Sequence, residues 1–349
     1  MDRRSLLVAA AAALAGCSSP PADAPPATAG GSPPPTSPPA PTGGKKLKIG
    51  VMPKRKGIPY FTACEKGALE AAAEFGDVEI VYDGPVEDKS EDQSAMIDTW
   101  VLRRFDAICV ACNDPDQIAT SLARARDAGV TVITYDADAN PAASRRQFFV
   151  NQVGVQEIAT ALVDEMAVQT GPDATVGVVS SSATAPNQTT WLKAMEVYRA
   201  AKFPKLQVVV TEYAGEVQTT SFEKAQNILK AYPNVKGIWG MTSVAFPGAA
   251  QAVEKAGKTG QVAVVGLGTP NVMKEFVQRG AVKSVILWNP VDLGYLAVCV
   301  ARAVARGELK EGASSFNAGR LKEKTVEGTV ILLGKPLVFN AANIGNFDF

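Results

Sequence analysis

Between residues 46 and 306, short runs of apolar residues alternate with longer stretches whose apolar positions recur every three or four residues. The short runs predict buried strands, and the longer stretches predict amphipathic helices. The predicted strands are 48–52, 78–82, 107–111, 131–135, 148–150, 175–179, 207–212, 237–241, 263–267 and 282–287. The predicted helices are 61–75, 90–104, 116–128, 156–169, 188–201, 219–231, 247–256, 271–279 and 291–306.

Strands that are apolar throughout and separated by helices indicate parallel sheets covered on both faces. The strands fall into two successive series, and each series is too short to close into an eight-fold barrel. The pattern therefore predicts an α/β fold of two doubly wound parallel-sheet lobes. In such folds ligands bind beyond the carboxyl ends of the strands, so the residues that follow each strand are the candidates for a site.

Residues 1–17 have the order of a secretory signal. A basic start at Arg3-Arg4 precedes an apolar run that is too short to span a bilayer, and Leu14-Ala15-Gly16-Cys17 follows. Small residues before a cysteine are typical of a lipoprotein signal, so we expect Cys17 to carry a lipid. A soluble exported protein cut elsewhere is the alternative, and the paired arginines leave open whether export uses the Sec or the twin-arginine route.

Residues 18–44 consist almost entirely of Pro, Ala, Ser, Thr and Gly, with Asp23 as their one charge. Such a segment has too little apolar surface to offset the entropy of ordering, so we expect a disordered tether. Proline makes such a chain extended, at about 3 Å per residue where it is polyproline-like. A globular part held away from a membrane suits a protein that meets a membrane partner. The predicted location is the cell envelope, either the periplasm or the outer face of the membrane.

Composition argues against several classes of function. Lysine and arginine number 35 and so do aspartate and glutamate, so the balance does not favour a nucleic-acid partner. The chain has no histidine, the usual general base and the commonest transition-metal ligand. A Walker A loop is missing, and Gly266-Leu267-Gly268-Thr269-Pro270-Asn271 lacks the third glycine of a dinucleotide loop. We therefore expect no cofactor, no metal and no enzymatic activity.

Cys109 and Cys112 form a CxxC pair, which has two interpretations. The pair falls in a predicted buried strand, whereas redox CxxC pairs stand at helix starts, where the helix dipole lowers a thiol pKa. We favour small buried side chains over a redox or metal site. The exported location permits oxidation, so the redox state of the pair stays open.

The residues that follow the predicted strands are polar and aromatic. Amides, carboxylates and hydroxyls pair with sugar hydroxyls as donors or acceptors, and aromatic faces suit the C–H faces of a sugar. None of these side chains forms a nucleophile with an activating base. The predicted ligand-binding residues are Lys54, Tyr60, Phe61, Asn113, Asp136, Asp138, Asn187, Gln188, Trp191, Ser243, Gly268, Trp288 and Asn289.

Several of these residues have a structural alternative. Asp136 or Asp138 could cap the loop that follows its strand, and Lys54 could be a solvated loop charge. Trp191, like Trp239, could be a core residue. The prediction of a site depends on the whole set falling at corresponding strand ends of both lobes.

From residue 46 to residue 349 the chain resembles the periplasmic sugar-binding proteins of ABC importers that have the ribose-binding-protein fold. Within that family it looks closest to the autoinducer-2-binding and rhamnose-binding branch. The resemblance is carried by Tyr60-Phe61-Thr62, Tyr82-Asp83-Gly84-Pro85, Tyr135-Asp136-Ala137-Asp138, Val150-Asn151-Gln152, Thr269-Pro270-Asn271-Val272-Met273, Val277-Gln278-Arg279-Gly280, Leu287-Trp288-Asn289-Pro290 and Val338-Phe339-Asn340.

The family implies a type I periplasmic binding protein, in which two lobes joined by three chain crossings close on the ligand. We expect the crossings near Asn151, near Leu287 and after Gly328. These crossings assign residues 45–150 with 288–327 to the N-terminal lobe and residues 151–287 with 328–349 to the C-terminal lobe. The same resemblance implies a monomer that works with an ABC permease.

Autoinducer-2-binding proteins are recognised by a Lys, an Asp, an Asp-Gln pair, a Pro and an Ala around the pocket. Lys54, Asp136 and Gln188 match this pattern, but Asn187 replaces the second Asp. Met241 and Ser243, which we also predict to contact the ligand, stand at the Pro and Ala positions.

The segment Trp288-Asn289-Pro290 looks more like the rhamnose-binding branch. We therefore expect an aldose or deoxyaldose ligand, rhamnose-like, that the protein delivers to an ABC permease. Binding or uptake of autoinducer-2 is one alternative, and a sensor that docks on a chemoreceptor or kinase is another. An enzyme that modifies a sugar is the weakest alternative, because histidine and an activated nucleophile are missing from the sequence.

Overall fold

The computed structural model describes residues 45–349. The predicted lipoprotein signal with Cys17 and the predicted tether, residues 18–44, lie outside the described residues. No helix within residues 45–349 is long and apolar enough to cross a membrane.

Strands and helices alternate regularly as far as residue 287. The first series comprises β1 (Leu47–Met52), α1 (Pro59–Phe75), β2 (Val78–Tyr82), α2 (Ser90–Leu102), β3 (Ala107–Val110), α3 (Ala119–Asp127), β4 (Thr131–Tyr135), α4 (Pro141–Ser144) and β5 (Phe148–Val153). The second series comprises α5 (Val155–Thr170), β6 (Thr175–Ser180), α6 (Pro186–Lys202), β7 (Gln207–Tyr213), α7 (Gln218–Ala231), β8 (Gly237–Gly240), α8 (Ala245–Lys255), β9 (Ala263–Gly266), α9 (Pro270–Gln278) and β10 (Ser284–Leu287).

The last part of the chain returns to both sheets. It consists of α10 (Pro290–Ala305), β11 (Ser315–Asn317), β12 (Glu323–Glu327), β13 (Val330–Gly334) and β14 (Leu337–Asn340). The sequence pattern predicted α10 but none of these four strands.

The first sheet has eight strands in the order β11-β12-β13-β5-β4-β3-β1-β2. All neighbours from β13 to β2 pair in parallel, whereas β11 and β12 are antiparallel additions at one edge. β3 and β4 lie inside the sheet and are buried along their whole length, as their continuous apolar sequences require. This sheet and the helices on it form the first lobe.

The second sheet contains the parallel strands β7-β6-β8-β9. A parallel bridge between Leu267 and Ile286 connects the end of β9 to β10, and β10 pairs in antiparallel fashion with β14. These strands and their helices form the second lobe. The two lobes confirm the predicted α/β fold of two lobes with parallel sheets.

Strand pairing corrects the assignment of residues 328–349 to the second lobe. Gly328 has a positive φ of 63° and turns β12 back into β13, which therefore stays in the first sheet beside β5. The chain reaches the second sheet only at β14. The boundary at residues 150 and 151 also differs, because β5 continues in the first sheet as far as Val153. The chain thus passes between the sheets after β5, after β10 and after β13.

Helices α1 and α10 pack closely against each other at two glycines. A Cβ on Gly67 would overlap the carbonyl oxygen of Val291, and a Cβ on Gly294 would overlap that of Cys64. Each helix has a proline in its first turn, where the missing N–H costs no hydrogen bond. The close packing brings the first turns of both helices together.

The four cysteines of the described chain, Cys64, Cys109, Cys112 and Cys299, are buried thiols that form no disulfide. Cys109 and Cys112 lie in different core clusters, so the CxxC pair is divided between two parts of the core. Burial raises the pKa of both thiols. This environment agrees with the interpretation as small buried side chains.

Candidate ligand-binding site

The carboxyl ends of both sheets face a cavity between the lobes. The cavity receives side chains from both lobes. Its lining residues are Lys54, Tyr60, Phe61, Asp136, Asn187, Gln188, Trp191, Glu216, Met241, Thr242, Ser243, Leu267, Leu287 and Trp288.

Asp136 is the central carboxylate of the cavity. It directly follows β4 with a φ of +62°, a conformation that aspartate tolerates better than most residues. The Tyr60 hydroxyl donates to its Oδ1 at 2.7 Å, and Gln152 donates to the same oxygen at 3.4 Å. Burial raises the pKa of Asp136, while the charge of Lys54 and the hydrogen bond from Tyr60 oppose the shift.

Tyr60 is itself held by Trp288. The indole Nε1 of Trp288 donates to the Tyr60 hydroxyl oxygen at 2.8 Å, and the two rings meet edge to face at 6.1 Å between centroids. Phe61 and Trp191 extend this wall, at 5.0 Å from Tyr60 and 5.7 Å from Trp288 respectively. One wall of the cavity is therefore aromatic, and its one tyrosine hydroxyl is already engaged.

Lys54 connects the two lobes across the cavity. Its side chain is only 2% exposed, and Nζ donates to Asn187 Oδ1 at 2.9 Å and to Gln188 Oε1 at 3.2 Å. Asn187 also donates to Asp136 Oδ2 at 3.3 Å. Asn187 and Gln188 lie in the first turn of α6, on the second lobe, whereas Lys54 and Asp136 belong to the first. The cavity-lining groups of the two lobes thus contact one another directly.

Four of the predicted ligand-binding residues do not line the cavity, and each has a structural role instead. Asn113 donates to the carbonyl oxygen of Lys54 at 2.9 Å and so supports the loop behind it. Asp138 forms a two-point ion pair with Arg146, at 2.8 and 2.6 Å. Asn289 accepts from the backbone N–H of Val291 at 2.9 Å and caps α10.

Gly268 is the fourth of these residues. A Cβ there would lie 2.7 Å from Met273 and 3.1 Å from Phe246, so the position serves close packing inside the second lobe. Trp239, for which the core was the alternative, is buried in the core and donates to the Leu162 carbonyl oxygen at 3.0 Å. Trp191, by contrast, reaches the cavity.

The sequence prediction missed one charged residue, Glu216. It is 6% exposed and follows β7, in the same relation to its strand as the other lining residues. Burial raises its pKa to about 7, and the nearby charge of Lys54 opposes this shift. The same inspection of strand ends, applied after β7, would have identified it. Thr242, Leu267 and Leu287 also line the cavity and were not among the predicted residues.

The cavity offers hydrogen-bond donors, acceptors and aromatic rings. Its lining residues include no cysteine, and no group of three Cys, Asp or Glu side chains in residues 45–349 could hold a metal ion. The hydroxyls in the lining, those of Thr242, Ser243 and Tyr60, have no histidine to activate them. The arrangement suits the binding of a small polar molecule.

Comparison with known proteins identifies the family. The family model described as "Periplasmic binding protein domain" matches residues 49–309. The chain belongs to this family. Membership implies a location outside the cytoplasm and confirms the resemblance drawn from the sequence motifs.

Individual proteins that are similar to this chain are also named as binding proteins. The chain is 24% identical to the D-allose-binding periplasmic protein of Escherichia coli (strain K12) over 254 residues, which cover 70% of this chain and 80% of that protein. A solute binding protein of an ABC transporter from Clostridium phytofermentas, with bound L-rhamnose, is 29% identical with a TM-score of 0.81, covering 86% of this chain and 98% of the other.

A third relative is LsrB from Clostridium saccharobutylicum, in complex with AI-2. It is 25% identical with a TM-score of 0.82, and the match covers 87% of this chain and 100% of that one. The family and the relatives named as binding proteins confirm that the chain is a binding protein and not an enzyme.

Proposed function

We propose that this protein captures a monosaccharide between its lobes and delivers it to the permease of an ABC importer. The observation that carries the proposal is the cavity wall, which combines a buried carboxylate, a lysine and two amides with aromatic rings. The polar groups pair with hydroxyls, and the rings cover the C–H faces of a sugar. The relatives that bind D-allose and L-rhamnose support this ligand class.

Within this class, the proposed ligand is an aldose or deoxyaldose similar to rhamnose. Met241, Leu267 and Leu287 make part of the lining apolar, which suits the methyl group of a deoxysugar. Trp288 stands in the segment that resembles the rhamnose-binding branch, and it reaches the cavity.

AI-2 is the second candidate ligand. Lys54, Asp136 and Gln188, which match the pattern of AI-2-binding proteins, all line the cavity, and LsrB has a similar fold. The three departures from that pattern, Asn187, Met241 and Ser243, line it as well. Asn187 replaces an acceptor-only group, and Met241 and Ser243 replace the Pro and the Ala of the pattern, so we favour a sugar.

The lipid anchor at Cys17 is also part of the proposal. It would hold the protein at the membrane that contains the permease, and the segment 18–44 would provide the reach between them.

Thermal unfolding in the presence of single compounds tests the binding function. The panel contains D-ribose, D-allose, L-rhamnose and AI-2, each at up to millimolar concentration. A ligand at a hundred times its dissociation constant should raise the free energy of unfolding by about 2.7 kcal/mol. We expect L-rhamnose or an aldose to give the largest shift. The absence of a shift with every sugar would contradict the proposed ligand class, and a shift with AI-2 alone would favour the second candidate.

Uptake measurements test delivery. Cells that lack the gene should take up less of the radiolabelled sugar that gave the largest shift. Unchanged uptake, together with loss of a behavioural or transcriptional response to that sugar, would support a sensor that docks on a receptor.

A further inference from the structure

The loop of residues 214–217, between β7 and α7, contacts side chains of the first lobe through its backbone. Gly215 in this loop has a φ of +62°, and a Cβ there would lie 2.9 Å from Asp88 Oδ2. Asp88 belongs to the first lobe, just before α2. Glycine therefore serves both the turn and the close approach of the two lobes.

Both backbone polar groups of Glu216 face side chains of the opposite lobe. The N–H of Glu216 donates to Asp88 Oδ2 at 3.3 Å, and its carbonyl oxygen accepts from Arg55 Nη1 at 3.2 Å. The loop is also fixed to its own lobe, because Gly215 N–H donates to the Ser181 carbonyl oxygen at 3.0 Å. One residue thus connects a rigid strand end of the second lobe to two side chains of the first.

The side chain of the same residue lines the ligand cavity. Its carboxyl group is buried and lies within reach of the charges of Lys54, Asp136 and Asp88. Neither the AI-2 pattern nor the motifs of the rhamnose-binding branch include this position. Glu216 therefore contacts the first lobe through its backbone and lines the cavity with its side chain.

We infer that Glu216 is a further ligand-contacting residue, and that the 214–217 loop is a latch that holds the lobes together in the closed state. The inference rests on the proposed function for the ligand contact, whereas the latch depends only on contacts within the protein. A sugar hydroxyl paired with the Glu216 carboxyl group would hold the loop in the position where Asp88 and Arg55 reach its backbone. Ligand contact and lobe closure then stabilise each other.

Hydrogen–deuterium exchange on the ligand-free full chain tests the latch. We expect Asp88→Ala to accelerate the exchange of peptides that cover residues 214–217 several-fold, because Glu216 N–H loses its acceptor. Glu87→Gln is the matched control: it removes a charge one residue away, and Glu87 pairs with Lys89 of its own loop. Equal exchange in Asp88→Ala and the wild type would overturn the latch. A thermal melt of each variant verifies that it is folded, and Gly215→Ala should reproduce the acceleration from the other lobe.

Calorimetric titration tests the ligand contact. The probe is the panel sugar with the largest thermal shift, L-rhamnose in the first instance, and its monodeoxy analogues. Glu216→Ala should weaken binding of the parent sugar roughly tenfold or more. One monodeoxy analogue should bind the wild type more weakly but lose little further affinity in Glu216→Ala, because the hydroxyl that Glu216 contacts is already absent.

A merely structural role of Glu216 would give a different result. Parent sugar and all analogues would then lose affinity by the same factor in Glu216→Ala, which would overturn the ligand contact. If no panel sugar binds the wild type, the ligand contact fails together with the proposed function. The exchange experiment still decides the latch in that case, so the two failures are distinguishable.

Discussion

Asp136 offers a ligand a buried acceptor that the protein itself uses only in part. Among the described residues, Oδ1 accepts from Tyr60 and Gln152, whereas Oδ2 accepts at a long 3.3 Å from Asn187. We expect Asp136→Asn to weaken sugar binding by about 1–3 kcal/mol, since an amide nitrogen cannot accept from a hydroxyl. Asparagine also tolerates the positive φ, so the backbone should be preserved.

Calorimetry with the best panel sugar measures this loss. Asp83→Asn is the control, because Asp83 is a half-exposed carboxylate that pairs with Lys56 and does not line the cavity. Equal affinities in Asp136→Asn and the wild type would mean that the ligand does not use this carboxylate.

Glu216 makes the stability of the closed, ligand-free protein depend on pH. Its pKa is raised to about 7 from the usual 4.5 by burial, with Lys54 opposing the shift and Asp136 and Asp88 adding to it. The folded protein therefore binds this proton more tightly than the unfolded chain. The resulting stabilisation is complete below pH 4.5 and is lost as the pH rises through 7. The shift of the pKa from 4.5 to about 7 corresponds to a stabilisation of at most about 3 kcal/mol. Lobe opening returns the carboxylate to water and so lowers this contribution.

Thermal melts of the ligand-free protein at pH 5, 6, 7 and 8 measure this dependence. The unfolding midpoint of Glu216→Gln should fall less over this range than that of the wild type, because glutamine does not titrate. Glu87→Gln should follow the wild type. Parallel curves for wild type and Glu216→Gln would show that the carboxylate is solvated.

Sequence position predicts which residues reach a strand end, but not which way each side chain points. Asp136 and Asp138 both follow β4, yet only Asp136 lines the cavity. Asp138 instead pairs with Arg146, which is eight residues away and carried no signal of that role. Lys54 was predictable because it lies in the loop just after β1. Glu216 lies in the loop after β7, but its neighbours Gly215 and Val217 are not polar, so no polar cluster marks the position.

Asn289 caps the start of α10, just after the chain leaves the second lobe. Asn289 Oδ1 accepts from the first backbone N–H groups of α10, at 2.9 Å from Val291 and 3.4 Å from Asp292. We expect Asn289→Ala to lower the free energy of unfolding by about 1 kcal/mol, the usual contribution of such a cap. Sugar affinity should change little, although the sequence suggested a ligand contact here.

Urea denaturation and calorimetry of Asn289→Ala separate these roles. Asn289→Ser, which keeps a capping oxygen, is the matched control and should recover most of the lost stability. A large loss of affinity with unchanged stability would return Asn289 to the ligand-binding residues.

Most elements could be predicted because strands and helices alternate regularly. The strands that follow α10 do not alternate with α-helices, and they were not predicted. β12 has the sequence Glu-Lys-Thr-Val-Glu and lies next to the edge strand β11 of the first sheet, so it lacks the continuous apolar run of a central strand. β11 has three residues, too few to establish a period. Both join the sheet through antiparallel pairing, which needs no intervening helix.

At the scale of the whole molecule, we expect attachment to the membrane to depend on Cys17. We expect the wild-type protein to fractionate with membranes and to incorporate labelled palmitate in a bacterial host. Cys17→Ser should abolish the label and release the protein into the soluble extracytoplasmic fraction. Cys64→Ser, which changes a buried thiol of the first lobe, is the control and should keep the label. Label retained by Cys17→Ser would contradict lipidation at this residue.

We expect closure of the lobes to depend on the groups that would bind the ligand. In the structure, Lys54 and Asp136 of the first lobe contact Asn187 of the second, so an incoming sugar must replace these contacts with its own hydroxyls. A ligand that contacts both lobes favours the closed state over open ones. Small-angle scattering should therefore give a smaller radius of gyration with the best panel sugar. A sugar without a thermal shift should leave the curve unchanged, and identical curves with the binding sugar would contradict closure.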